Sequence, residues 1–140
     1  PEQEYLIPIG KARIVREGSD LTLIGWGSML YTALQAVEQL KDKYSIEVID
    51  VRTISPLDSE TILASIAKTG RCVIVHEAPR SFGPGAEIAA QIAEKALLSL
   101  QAPVQRVTGF DTVFPLYKLE NYYLPDVKRV SAAIEEVMRF

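Results

Sequence analysis

The chain has 140 residues, 48% of them hydrophobic, with 15 lysines and arginines against 18 aspartates and glutamates and a formal net charge of -3. That length suits one domain with one core, and the acidic balance speaks against a general nucleic-acid binder, which shows a basic face. A single cysteine, Cys72, excludes an internal disulfide and suits a reducing compartment, and no apolar run approaches the roughly 18 residues of a membrane span.

The first residue is Pro1 rather than methionine, as expected of a processed chain or of a piece of a longer one. Lys11 to Val15 alternates polar and apolar residues, the pattern of an edge strand. Leu21 to Gly25 reads as a buried strand ending in Gly25-Trp26-Gly27. Ser28 is placed to cap a helix reaching about Lys43, with Leu30, Ala33, Leu34, Val37 and Leu40 at helical spacing. Ile46 to Val51 is the next strand. Asp58 suits an N-cap, Glu60 the first turn and Gly70 the end of the following helix. Arg71 to His76 is a third apolar strand. Gly85 to Leu100 is an alanine-rich helix with Ile88, Ile92, Ala96 and Leu100 on one stripe, and Val104 to Thr108 is a strand. Gly109 to Asp126 reads as an irregular stretch rich in aromatics. Pro125 is placed at the first position of a last helix that runs to about Met138.

Alternation of strands and helices predicts a three-layer α/β/α fold. Its five-stranded sheet is mostly parallel, and the first strand, which no crossover helix joins to the second, forms an antiparallel edge.

Three places could carry function. Gly25-Trp26-Gly27-Ser28 opens a helix after a strand, where backbone amides hold a dinucleotide pyrophosphate, and Asp50 ends the next strand, where a ribose-binding acid sits. Leu30 stands where the third glycine of that pattern belongs, so a tight turn with a serine cap is the plainer reading. His76-Glu77 lies at the carboxyl end of another strand, where a histidine can serve as general base. Adjacent strand residues point to opposite faces, so Glu77 is badly placed to orient His76. Cys72 is about 13 Å from His76 at about 3.3 Å per residue, too far to act as its nucleophile. The third place is the acidic C-terminal end, Glu135, Glu136 and Phe140, which is either a solvated face or a dock for a basic partner.

Four segments, "IPIGKARIVREGSDLTLIGWGSML", "EVIDVRTISPLD", "KTGRCVIVHEAPRSFGPGAEIAA" and "DTVFPLYKLENYYLPD", together resemble the C-terminal domain of the beta subunit of thiamine-diphosphate-dependent 2-oxo acid dehydrogenases. Those enzymes are of the pyruvate and branched-chain types, and the region is similar to the transketolase C-terminal domain. The resemblance implies that residues 1–140 are one such domain, a fragment of a longer beta subunit. It also implies that thiamine diphosphate and the catalytic histidine belong outside this fragment, so no catalytic, cofactor or metal residue is expected here. The implied partners are an alpha subunit and a second beta subunit in a heterotetramer, and an acyltransferase core that docks through its subunit-binding domain. Neither nucleic acid nor a membrane is expected as a partner. The implied location is the cytoplasm, or the mitochondrial matrix in a eukaryote.

On this reading His76, Glu77, Ala86, Ala89 and Ala93 are interface candidates, and Gln101, Glu135, Glu136 and Phe140 are docking candidates. Many relatives carry consecutive glycines, roughly "GGFGAEI", where this chain has Ser81-Phe82-Gly83-Pro84-Gly85-Ala86. Pro84 fixes φ near about -65°, so the loop is expected to follow its own path. The alternative to an assembly domain is an independent nucleotide-binding module built on Gly25 to Ser28 and Asp50.

Overall fold

A computed structural model describes residues 5–140. The strands are β1 (Arg13–Arg16), β2 (Leu21–Gly25), β3 (Ile46–Asp50), β4 (Cys72–Pro79) and β5 (Gln105–Gly109). The helices are α1 (Met29–Leu40), α2 (Ser59–Thr69), α3 (Pro84–Ala96), the short α4 (Glu120–Tyr123) and α5 (Val127–Val137). One sheet runs in the order β1-β3-β2-β4-β5. β1 is antiparallel to β3 and every other pair is parallel, as expected for a first strand without a crossover helix.

Strands in the middle of a parallel sheet are covered on both faces, so they read as unbroken apolar runs. Successive side chains then divide between two cores. Leu21, Leu23, Val73 and Val75 pack with Ala33 and Val37 of α1 and with Val130 and Ile134 of α5. Ile24, Cys72 and Ile74 pack with Ile62 and Ile66 of α2 and with Ile88 and Ile92 of α3. The layers are therefore α1 and α5, the sheet, and α2 and α3.

The ends of α2 follow from local chemistry. Asp58 accepts from the Thr61 amide, and Gly70 closes the helix at φ 68°, in the left-handed region that favours glycine. Three sequence expectations are corrected. Ser28 makes no side-chain capping bond and lies in helical conformation, because its hydroxyl is drawn to Glu77 instead. The last helix begins after Asp126, whose carboxylate accepts from the Arg129 amide at 2.7 Å, so Pro125 precedes the cap rather than opening the helix. α3 ends at Ala96, and a 3-10 turn over Leu97–Ser99 takes the chain to Leu100.

The topology leaves an opening. The chain goes from β2 through α1 to β3 on one side of β2, then through α2 to β4 on the other side. The segments that leave the carboxyl ends of β2 and β4 therefore diverge, which creates the crevice where open α/β sheets take ligands.

Candidate functional site

That crevice is a cleft of about 310 Å³ lined by Trp26, Gly27, Ser28, His76, Glu77 and Pro84 among others. It joins two of the three places singled out in the sequence. The sheet register explains the meeting, because Gly25 pairs with Val75, so the residues after each strand end side by side.

His76 is 1% exposed. Its ring stacks on Trp26, with centroids 5.3 Å apart and planes 11° from parallel. On its other edge the backbone of the β4–α3 loop comes very close. A Cβ at Gly83 would lie 2.7 Å from His76 Cε1, and one at Gly85 would lie 2.4 Å from Nε2. Gly85 is there because the imidazole occupies the space of a side chain, and at Gly83 the Pro79 carbonyl oxygen, 2.4 Å from such a Cβ, fills that space together with the ring. Burial, aided by the Arg106 charge, holds the His76 pKa below the ordinary histidine value, so the ring is neutral at pH 7. Neither ring nitrogen has a hydrogen-bond partner among the described residues.

Glu77 is exposed and turns the other way, as strand alternation requires. Its carboxylate accepts from the Ser28 hydroxyl at the start of α1. His76 and Glu77 thus belong to one cleft but do not bond to each other, and no acid orients the imidazole as a general base needs. The loop between β4 and α3 is held from outside. Ser81 donates both its amide and its hydroxyl to Asp111, each at 2.8 Å, and those bonds hold the Asp111 carboxyl below its usual range. Arg80 and Arg106 each donate to the other's carbonyl, at 3.1 and 2.9 Å. Asp50 is not free for a ribose, since its carboxylate accepts from the Arg52 amide at 3.2 Å and its other oxygen lies 3.7 Å from Arg52 Nε.

The remaining candidates lie elsewhere. On α3, Ala86 and Ala89 are half-buried and Ala93 is exposed, beside exposed Ala90. Gln101 is exposed and its amide donates to Gly70 O at 2.8 Å. Glu135 lies 3.1 Å from Lys43 Nζ, Glu136 accepts from Gln105 Nε2 at 3.1 Å, and Phe140 is 67% exposed. Two features have little signal in the sequence. The Trp26–His76 stack follows from strand order, which becomes readable only once β2 and β4 are known to be neighbours. The second is Glu47, fully buried on β3, which accepts from Ser65 and Lys68 of α2; an acid inside an apolar run was its only mark. Among the described residues no group of three or more histidine, cysteine or acidic side chains gathers as a metal site would need. No described helix is long and apolar enough to cross a membrane.

Known proteins share this α/β/α domain. Residues 10–130 match the model of the transketolase C-terminal domain, and the chain belongs to that family. Along its whole length it is similar to proteins named pyruvate dehydrogenase E1 component subunit beta. The identity is 49% for the one from Staphylococcus epidermidis and 46% for those from Staphylococcus aureus. The chain spans 43% of each of those relatives. A solved split-gene transketolase, described as an inactive beta4 tetramer, superposes with a TM-score of 0.83 at 28% identity, over 97% of this chain and 44% of that one. A 2-oxoglutarate:ferredoxin oxidoreductase from Magnetococcus marinus shares the fold alone, with a TM-score of 0.60 at 12% identity.

Proposed function

We propose that this chain is the assembly and docking part of the decarboxylating component of a 2-oxo acid dehydrogenase complex. The observation that carries this reading is similarity of 46 to 49% over the full chain to pyruvate dehydrogenase E1 beta subunits. The parent enzyme would oxidatively decarboxylate pyruvate or a branched-chain 2-oxo acid and pass the acyl group to lipoamide. Thiamine diphosphate supplies the carbanion chemistry of that reaction, and a magnesium-bound diphosphate is held through one or two protein carboxylates. Among its lining residues the cleft has a single acid, Glu77, and the cofactor is proposed to bind outside this fragment.

The surface supports an assembly role. Phe110, Val113, Phe114, Leu116, Tyr117 and Tyr122 are all at least half exposed along one segment. An apolar surface of this kind marks an interaction site. The partners proposed are an alpha subunit, a second beta subunit and the subunit-binding domain of an acyltransferase core. Ala86, Ala89 and Ala93, together with His76 and Glu77, are proposed for the subunit interface. Gln101, Glu135, Glu136 and Phe140 are proposed for docking the basic subunit-binding domain, where rim acids steer association. Calorimetric titration with that binding domain at low and at molar salt tests the reading. Binding that weakens with salt supports it. Binding that ignores salt and the change Glu136→Gln removes the C-terminal end as the dock.

A further inference from the structure

The Trp26–His76 cleft includes two residues proposed above for the subunit interface, His76 and Glu77, and the polarity of its walls is one-sided. Two helices open onto it. The amides of Ser28 and Met29 precede the first carbonyl-bonded amide of α1, that of Leu30, which lies 3.3 Å from Gly27 O, and the first amides of a helix have no partner inside it. α3 begins with Pro84, which has no amide, so Gly85, whose Cα packs against the edge of His76, supplies the first N–H of that helix. α1 has 12 residues and α3 has 13, long enough for each to present a positive N-terminal end. Between them lies a buried imidazole with neither nitrogen bonded among the described residues. A buried polar group left so is costly, and it calls for an occupant that is polar.

One acceptor is present, and its position is informative. The Glu77 carboxylate sits on the Ser28 hydroxyl at the start of α1. It is on an exposed residue, so it is free to swing away. The chain's own carboxylate thus fills part of a donor-rich site, as a tethered anion would.

We propose that the cleft binds a small oxyanion, a carboxylate or phosphate group, which takes its hydrogen bonds from His76 and from the amides at the starts of α1 and α3 and displaces the Glu77 carboxylate. Helix N-termini with free amides hold such groups. Glu77 acts as a competitor: it keeps the site filled when the ligand is scarce and sets how much ligand is needed. The proposal does not depend on the assembly reading and survives its failure.

Two single-copy reporters make the test direct, since the chain has one tryptophan and one histidine and both line the cleft. Inorganic phosphate and acetate are titrated separately into the 140-residue chain, with chloride holding ionic strength constant. Trp26 emission and the ring resonances of His76 are followed. A saturable change in both reporters with phosphate, with acetate or with each is expected, and the effective probe identifies the ligand's head group. Glu77→Gln removes the competing charge and is expected to tighten binding about threefold, while His76→Gln is expected to weaken it. Because Glu77 is exposed and outside the core, its variant folds even where a change at His76 does not. A drift that never saturates, or saturable binding that Glu77→Gln leaves unchanged, overturns the proposal.

Discussion

Replacing Gly85 by alanine tests how tightly the cleft is built. Gly85 lies in α3 and is not among the glycines with positive φ. On backbone grounds alone, alanine would therefore stabilise the helix by about 0.5–1 kcal/mol. The space argues the opposite. The new Cβ would stand 2.4 Å from His76 Nε2, 2.5 Å from its Cδ2 and 3.3 Å from Ile74 Cγ2. The imidazole cannot retreat, because its face is stacked on Trp26. Overpacking of this kind costs about 1–3 kcal/mol, and loss of the stack adds about 0.5–1.5 kcal/mol. The clash wins, and Gly85→Ala is expected to lower stability by about 1–3 kcal/mol net, or about 4 °C in Tm for each kcal/mol at this chain length. Urea unfolding followed by Trp26 emission measures it. A double-mutant cycle isolates the cause. In a His76→Ala background the obstacle is gone, and Gly85→Ala should turn neutral or stabilising. If Gly85→Ala stabilises the parent chain, or costs the same in both backgrounds, the packing account of the two glycines is wrong.

Two further predictions concern buried charge. The His76 pKa is depressed in the fold, so the unfolded chain binds the proton first. Stability is then full above the unfolded value, about 6.5, and falls as pH drops toward the folded value, by at most about 1.4 kcal/mol per pH unit for one proton. Asp20, Asp58, Asp111 and Glu47 are held below their usual values and lose their contribution only at lower pH. Urea midpoints at pH 7.5 and 5.5 should therefore differ in the parent and not in His76→Gln. Separately, Lys68→Met leaves the buried Glu47 carboxylate with Ser65 alone and is expected to cost about 3 kcal/mol. The double change Lys68→Met with Glu47→Gln should recover most of that loss in the same unfolding assay.

How far the sequence could be read depended on the distance between partners. α2 was legible at both ends because Asp58 and Gly70 act on their own neighbours. The edge role of β1 was legible because no helix separates it from β2. Ser28 was misread because its partner, Glu77, stands 49 residues away, and nothing local says that the hydroxyl will donate to a distant carboxylate rather than accept from a near amide. Pro125 and Asp126 compete for one helix start, and the carboxylate cap prevails because it satisfies the Arg129 amide. α4 has four residues, too few to show a helical period. Glu47 was hidden for the same reason as Ser28, since Lys68 lies 21 residues further on.

The cleft shows why a site can be half visible. Residue types announced its pieces, the sole histidine, a glycine pair after a strand, an acid beside the histidine, and each alone favoured a plain structural reading. What those pieces make together depends on strand order, because β2 and β4 become neighbours only through the crossover of α2 over β2. The donors themselves are backbone amides at two helix starts, and amides have no letter in a sequence. Glycines 83 and 85 carried the one usable hint. Neither takes a positive φ, so the backbone did not demand them, and the demand had to come from space. A pair of glycines at a helix start without left-handed backbone implies that something is pressed against it, and here that is the Pro79 carbonyl at Gly83 and, at both, the one histidine whose nitrogens the fold leaves without partners among the described residues.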